Sequence, residues 1–168
     1  MVKNIWLWVL AVGAIVLDRL TKSWAEGSLV VGESLSLVPG VIDLTLVKNT
    51  GAAFSLFTGG SDWLKWVSLV VSVALVAYGL FGRPLGLWEQ FGFGLLLGGA
   101  VGNGFDRFLY GQVTDFLEFR FIEFPVFNGA DVAINLGLAC LIVAALRGEE
   151  RGRPDAAGSA AEPTDRTH

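Results

Sequence analysis

The chain has 168 residues, of which 53% are hydrophobic and 17% are charged, and its formal net charge is −4. Only nineteen of the first 146 residues are charged, whereas about a quarter of the residues of a soluble domain are charged. This part of the chain is therefore too apolar for a soluble domain, and also too apolar for a disordered chain. The acidic balance excludes nucleic acid as a partner, and the single Cys140 and single His168 exclude a disulfide framework, a cysteine or histidine metal site and a Ser-His triad.

The class of protein that these exclusions leave is a small integral membrane protein. Four stretches without Asp, Glu, Lys or Arg indicate its helices. They cover residues 4–17, 66–82, 90–105 and 132–146. Each is shorter than the ~20 residues that a spanning helix needs, so we expect charged residues at the helix ends, near the headgroups. Because four such stretches could not all bury one another in water, they predict four transmembrane helices. The tryptophans support this prediction, since they lie at or near the ends of the stretches: Trp6, Trp8, Trp24, Trp63, Trp66 and Trp88.

The first stretch has an alternative interpretation as a cleaved signal peptide. Lys3 precedes the apolar run, and Ser23-Trp24-Ala25 stands where a small-x-small cleavage site would lie. Asp18, Arg19 and Lys22 lie between the run and that position, which disfavours cleavage. The numbers of Lys and Arg on the two sides of the membrane are balanced, so they do not decide which side is the cytoplasm.

Two loops lie on one side of the predicted bundle. In the first, residues 26–62, apolar and polar residues alternate around Pro39-Gly40, which predicts a β-hairpin over residues 34–47. The second loop covers residues 107–128.

The C-terminal segment differs in composition from the rest of the chain. Residues 148–168 combine Gly, Ala and Pro with charges of both signs, which predicts a disordered tail. The predicted domain is therefore residues 1–147.

Four carboxylates are expected to gather at one membrane surface. An even number of crossings places the end of the first span, the end of the third and the start of the fourth on the same side. Asp18, Asp106 and Asp131 occupy these positions, and Asp115 lies in the loop between the last two. Charged groups at membrane depth are costly and commonly mark function. The alternative is that they are only helix-end charges.

A close pair of carboxylates supplies acid and base together. Two such groups share one proton, so one can act as base on a water while the other acts as acid toward a carbonyl. Aspartic peptidases use this mechanism. A Ser-Lys dyad is the alternative, from Lys22 with Ser23 or from Lys48 with Ser55. Sequence neighbours on a helix do not face each other, which disfavours the first of these pairs.

Glycines recur at four-residue spacing in the third stretch, at Gly94, Gly98 and Gly102. In a membrane helix this spacing predicts close packing against a neighbouring helix.

Five motifs follow one another along the chain: DRLTK at residues 18–22, NTGAAF at 49–54, GGAVGNGFDR at 98–107, VTDF at 113–116 and FPVFNGAD at 124–131. Together they resemble the bacterial lipoprotein signal peptidases, also called signal peptidase II. The resemblance covers almost everything except the tail.

The resemblance implies an aspartic endopeptidase without metal or other cofactor. The implied fold is an all-α membrane protein of four transmembrane helices with a small extracytoplasmic β-cradle. The implied substrates are diacylglyceryl-modified prolipoproteins, cut before the lipidated cysteine. The implied location is the bacterial inner membrane, with cytoplasmic termini and tail and an extracytoplasmic site. We expect membrane lipid as the other partner and a monomer.

Matched position by position, the resemblance implies that Asp115 and Asp131 form the catalytic pair. It implies substrate-binding or supporting roles for Asp18, Lys22, Asn49, Gly51, Asn103, Asp106, Arg107, Asn128 and Ala130. Gly104 falls where a larger residue is expected, which would loosen the turn before Asp106. Asp18 and Lys22 are four residues apart, on one helix face, so we expect them to pair. We also expect Asp106 to pair with its neighbour Arg107, and the hairpin to close over the site.

Two other classes of function remain possible at this point. A proton-coupled membrane carrier would use the same carboxylates, but it would normally show internal repeats or broken helices, and neither is evident. A structural scaffold would explain the glycine repeat but not the polar residues of the loops.

Overall fold

The computed structural model describes residues 3–51 and 62–151. Its helices are α1 (Ile5–Ser28), α2 (Asp62–Phe81), α3 (Leu87–Tyr110) and α4 (Gly129–Arg151), and its strands are β1 (Ser34–Val38), β2 (Ile42–Asn49) and β3 (Val113–Phe119). The fold is therefore mostly helical with a small sheet. Ser55, residues 52–54 of the second motif and residues 152–168 of the predicted tail lie outside the described residues.

The helices are longer than the uncharged stretches that predicted them. Two segments, Trp63–Phe81 and Gly129–Arg147, are apolar and long enough to cross a membrane. Helix α1 instead continues through Asp18 and Lys22, which are buried, while Val12, Leu17 and other apolar side chains are exposed on its surface. Charges therefore lie inside this bundle and apolar side chains outside, the reverse of a soluble protein.

Helix α3 packs between its neighbours with very little space. A Cβ atom at Gly94 would lie 2.6 Å from the carbonyl oxygen of Leu7, and one at Gly98 would lie 2.5 Å from the Cβ atom of Ala14. Both contacts are with α1. The close packing that the four-residue spacing predicted is thus confirmed, because any side chain at these positions would force the helices apart.

Gly104 has a packing role of the same kind, toward α2. A Cβ atom there would lie 2.9 Å from the Cβ atom of Ser68, and α3 continues unbroken to Tyr110. The expectation of a loosened turn before Asp106 is wrong, because there is no turn there and glycine allows the close approach of α2.

The sheet has three antiparallel strands in the order β1-β2-β3. The predicted hairpin is confirmed as β1 and β2, and the second loop contributes β3, so Asp115 lies on a strand and not in a loop. A third strand matters because an isolated hairpin is marginally stable. Ala25, Leu44, Leu46 and Phe116 form an apolar cluster that attaches the sheet to the end of α1.

Candidate active site

Asp131 is held by the start of α4. Its carboxylate accepts a hydrogen bond from the backbone N–H of Asn128 (3.1 Å), and its own N–H donates to Asn128 Oδ1 (3.1 Å). This reciprocal pair is a capping box, in which the residue before the helix and the third helical residue satisfy each other's free N–H groups. The position of the carboxylate is therefore determined by the local geometry of the helix start.

Asp115 reaches the same place from the sheet. Asn49 Nδ2 donates to its Oδ2 atom (2.8 Å) and Asn128 Nδ2 donates to its Oδ1 atom (2.5 Å). Asn49 is held in turn by the N–H of Gly51, which donates to Asn49 Oδ1 (2.9 Å). Strand β2 therefore positions the donor, strand β3 positions the acceptor, and both carboxylate oxygens are satisfied.

Asn128 connects the two carboxylates and is completely buried. Its side chain donates to Asp115 and its backbone to Asp131, and it also donates to Asn103 Oδ1 (3.1 Å). Asn103 donates to Asp131 Oδ1 (2.8 Å) and accepts from Lys22 Nζ (2.9 Å). Amides from α3 and from the start of α4 thus hold the two acids in one hydrogen-bonded group.

The environment of Asp115 favours its protonated form. Burial, with a further contribution from the negative charge of Asp131, raises the pKa of Asp115 to about 6, although hydrogen bonds from Asn49 and Asn128 and the charge of Lys22 act in the opposite direction. A carboxyl group with such a pKa exchanges its proton near neutral pH, which suits acid-base chemistry.

A second polar cluster lies beside this pair, between α1 and α3. Lys22 Nζ lies 2.8 Å from both Asp18 Oδ2 and Asp106 Oδ2, and all three side chains are almost fully buried. Arg19 pairs with the other oxygen of Asp106, and the N–H of Ala130 donates to Asp18 Oδ1 (3.0 Å). The pair predicted from the spacing of Asp18 and Lys22 is confirmed, and this cluster joins α1, α3 and α4.

The expected pair of Asp106 with Arg107 is wrong. Neighbours on a helix point in different directions, so Asp106 faces α1 while Arg107 lines the cavity described below. Arg19, which takes the place of Arg107, lies 87 residues from Asp106 in sequence. Sequence reasoning missed its role, although it is in the first motif, beside Asp18.

The alternative dyad of Lys22 and Ser23 is not supported. The Lys22 ammonium group is buried and bound by Asp18, Asp106 and Asn103, so it has no free position as a base. Within residues 3–51 and 62–151, no group of His, Cys, Asp or Glu side chains could hold a metal ion.

A cavity of about 550 Å³ opens at the two carboxylates. Its polar lining consists of Asn49, Asn103, Arg107, Asp115, Asp131 and Asn135, and its apolar lining of Val113, Phe119, Phe124, Pro125, Val126, Phe127, Val132 and Leu136. Of the hairpin residues in the described part, Asn49 alone reaches it. The segment between β3 and α4 forms the facing wall, and the expected hairpin lid is not seen there.

Comparisons with known proteins show what the chain is similar to. A family model described as signal peptidase II matches residues 10–147. The chain is 66% identical to a lipoprotein signal peptidase of Gloeobacter violaceus over 98% of this chain and 97% of that protein. It is 53% identical to one of Microcystis aeruginosa, over 84% and 92% respectively. A solved bacterial membrane enzyme matches with a TM-score of 0.80 and 28% identity, over 91% of this chain and 96% of that one.

Proposed function

The chain belongs to the signal peptidase II family, and we propose that Asp115 and Asp131 are its two catalytic carboxylates. It is a membrane aspartic peptidase that removes signal peptides from prolipoproteins. Membership of this family decides between the peptidase and the proton-coupled carrier in favour of the peptidase. The assignment of the pair rests on one observation: two carboxylates from different elements share Asn128 at an apolar cavity.

The pair would act on a water molecule held between the two acids. The ionised carboxylate takes a proton from the water, the oxygen attacks the scissile carbonyl, and the protonated carboxyl donates to the carbonyl oxygen. The same groups then return a proton to the leaving nitrogen as the C–N bond breaks. Amide donors suit this chemistry, because they hold both carboxylates in place without neutralising either.

The cavity lining supports a lipidated substrate. Phe124, Phe127 and Val132 line the cavity next to the polar groups, and Leu136 continues along the exposed surface of α4. An apolar wall that continues onto an exposed apolar helix face lets acyl chains remain in the bilayer while the peptide reaches the acids. We therefore assign diacylglyceryl-modified prolipoproteins as substrates, with cleavage before the lipidated cysteine.

The supporting residues divide into two groups by their contacts. Asn49, Asn103 and Asn128 orient the two acids through hydrogen bonds, and the N–H of Gly51 holds Asn49 in place. Asp18, Lys22, Asp106 and the N–H of Ala130 join the helices on which the site is built. Arg107 lines the cavity and would attract the polar backbone of the substrate.

We propose that all four helices of the 1–147 domain cross the inner membrane. Both termini, including the 148–168 tail, would then lie in the cytoplasm, and the active site would lie on the outer side. The buried ion pairs of α1 and α3 support this, because paired charges inside a bundle are tolerated at membrane depth. We infer that the protein acts as a monomer, and its oligomeric state stays a prediction. Reporter fusions after Arg147 test the orientation: a reporter active only outside the cytoplasm should be inactive there.

The function is tested with purified protein in detergent and a synthetic peptide carrying a diacylglyceryl cysteine. Wild type should release the signal peptide, whereas Asp115→Asn and Asp131→Asn should release none. Asp43→Asn is the matched control, since Asp43 is a buried carboxylate of the same sheet that pairs with Arg120. The same peptide with an unmodified cysteine should remain uncut. Cleavage by either catalytic-pair variant would remove that residue from the pair.

A further inference from the structure

Three polar side chains that have no part in the proposed chemistry meet on the far side of the sheet from Asp115. They are Glu26 at the end of α1, Lys48 on β2 and Thr114 on β3. Thr114 Oγ1 donates to Glu26 Oε1 (2.6 Å), Lys48 Nζ donates to Thr114 Oγ1 (3.0 Å), and Lys48 also pairs with Glu26. We refer to these residues as the Glu26 triad. It ties one helix to two strands.

The triad lies directly behind the active-site residues of the sheet. Lys48 and Thr114 are opposite each other in the register, and successive side chains of a strand point to opposite faces. Asn49 follows Lys48 and Asp115 follows Thr114, so these two side chains point away from Glu26, where they hydrogen-bond to each other. Each strand thus carries one triad residue and one active-site residue in adjacent positions.

The sheet is irregular immediately beside Asp115. Leu44 pairs with Leu117, whereas Val47 pairs with Asp115. Two residues of β2 therefore face one residue of β3, which is a β-bulge. Bulges re-aim side chains and interrupt the ladder, and a shift of one residue would turn every side chain to the other face. The ladder alone holds the direction of Asp115 weakly here, so an additional anchor is needed.

We propose that the Glu26 triad is a positioning element that anchors both strands to α1 and so keeps Asn49 and Asp115 in contact. This inference rests on the proposed catalytic role of Asp115. Thr114 is the central member, because it is buried, contacts both other residues and directly precedes Asp115. Without the anchor, the folded protein would remain, but the donation from Asn49 to Asp115 would weaken.

The test compares Thr114→Val, which keeps shape but loses the hydroxyl, with Thr114→Ser, which keeps the hydroxyl. Thr114→Val should lower kcat on the lipidated peptide about tenfold with little change in KM, since one charge-assisted hydrogen bond is lost. Thr114→Ser should remain close to wild type. Lys48→Met and Lys48→Arg form a second pair with the same expectation. Arg120→Gln is the control, because Arg120 pairs with Asp43 and Glu118 at the far end of the sheet.

The pH profile separates positioning from simple support of the fold. Asp115 is surrounded by charged groups from three helices: Lys22 of α1, Arg107 of α3 and Asp131 of α4. These stay in place in Thr114→Val. The hydrogen bond from Asn49 lowers the pKa of Asp115, so a weaker hydrogen bond should raise this pKa. The pH profile of kcat should therefore move to higher pH, and the apparent pKa values read from it belong to the pair of carboxylates.

Two results would overturn the proposal. The first is a kcat and pH profile of Thr114→Val and Lys48→Met that match wild type. The second is a loss of activity that parallels a lower melting temperature with an unshifted profile, which indicates a structural role alone. Asp115→Asn is measured alongside them. If Asp115→Asn is active, the catalytic assignment fails; if it is inactive while the triad variants are unaffected, only the triad proposal fails.

Discussion

Two buried acidic clusters lie side by side in this bundle, and they differ in what neutralises them. In the first, Asp18 and Asp106 share Lys22, with Arg19 on the outer oxygen of Asp106. In the second, Asp115 and Asp131 receive hydrogen bonds from amides and backbone N–H groups, without a direct ion pair in the described part of the chain. The same side-chain type is therefore paired with cations in the first cluster and lacks such a pair in the second, which suits the proposed proton transfer.

The largest difference between the clusters should be seen in activity. Asp115→Asn and Asp131→Asn should each lower turnover by at least about a thousandfold, because general acid-base catalysis contributes on this order. Their melting temperatures should be unchanged or raised, since repulsion between the two acids is relieved. Turnover and melting are measured on the same preparation. A variant that loses stability together with turnover would belong with Asp18 and Asp106 instead.

The ion-pair cluster should respond in the opposite way. Lys22→Met leaves Asp18 and Asp106 as buried carboxylates without their shared cation, which should lower the unfolding free energy by roughly 3–5 kcal/mol. Arg83→Gln is the matched control, since it breaks an exposed pair with Glu89 and should leave the melting temperature unchanged. Equal melting temperatures for Lys22→Met and wild type would show that the buried network does not stabilise the fold.

The pH dependence of stability sharpens the comparison for Asp115. Burial raises its pKa to about 6 from the ordinary value of 3.8, so between these values the folded protein holds a proton that the unfolded chain has released. The free energy of unfolding should therefore fall by ~3 kcal/mol in total as pH rises from 3.8 to about 6, and it should not recover this contribution at higher pH. Melting curves of wild type and Asp115→Asn at several pH values measure it. Parallel curves would contradict the raised pKa.

The smallest effect is expected outside both clusters. Cys140 is a partly buried residue of α4, which we interpret as a small apolar side chain, and the composition of residues 148–168 predicts a disordered tail. Cys140→Ser and a truncation after Arg151 should each keep activity within about twofold of wild type. A clear loss of turnover at normal expression would reveal a thiol or tail function beyond the two clusters.

Local signals in the sequence predicted the parts of the site that depend on neighbouring residues. Asp18 and Lys22 are four residues apart, which places them on one helix face whatever the rest of the chain does. Asn128 and Asp131 have the spacing of a capping box, a local signal that was present in the sequence although no cap was predicted from it. The hairpin and the close-packed glycines were also predictable, since strand alternation and small-residue spacing are properties of short segments.

The remaining features depended on contacts between distant segments. The strand character of Asp115 requires β2 as a partner, and glycine at position 104 is explained by the proximity of Ser68 on another helix.

By itself, the sequence determined the apolar body, the helical stretches, the hairpin and, through its motifs, the identity of the two acids proposed for catalysis. Only the tertiary structure decided which charges Asp106 meets: it pairs with Lys22 and with Arg19, 87 residues away, and not with the adjacent Arg107. The physical reason is that periodicity specifies the face of an element, whereas an ion pair or a hydrogen bond requires atoms within about 3 Å, a distance set by how whole elements pack.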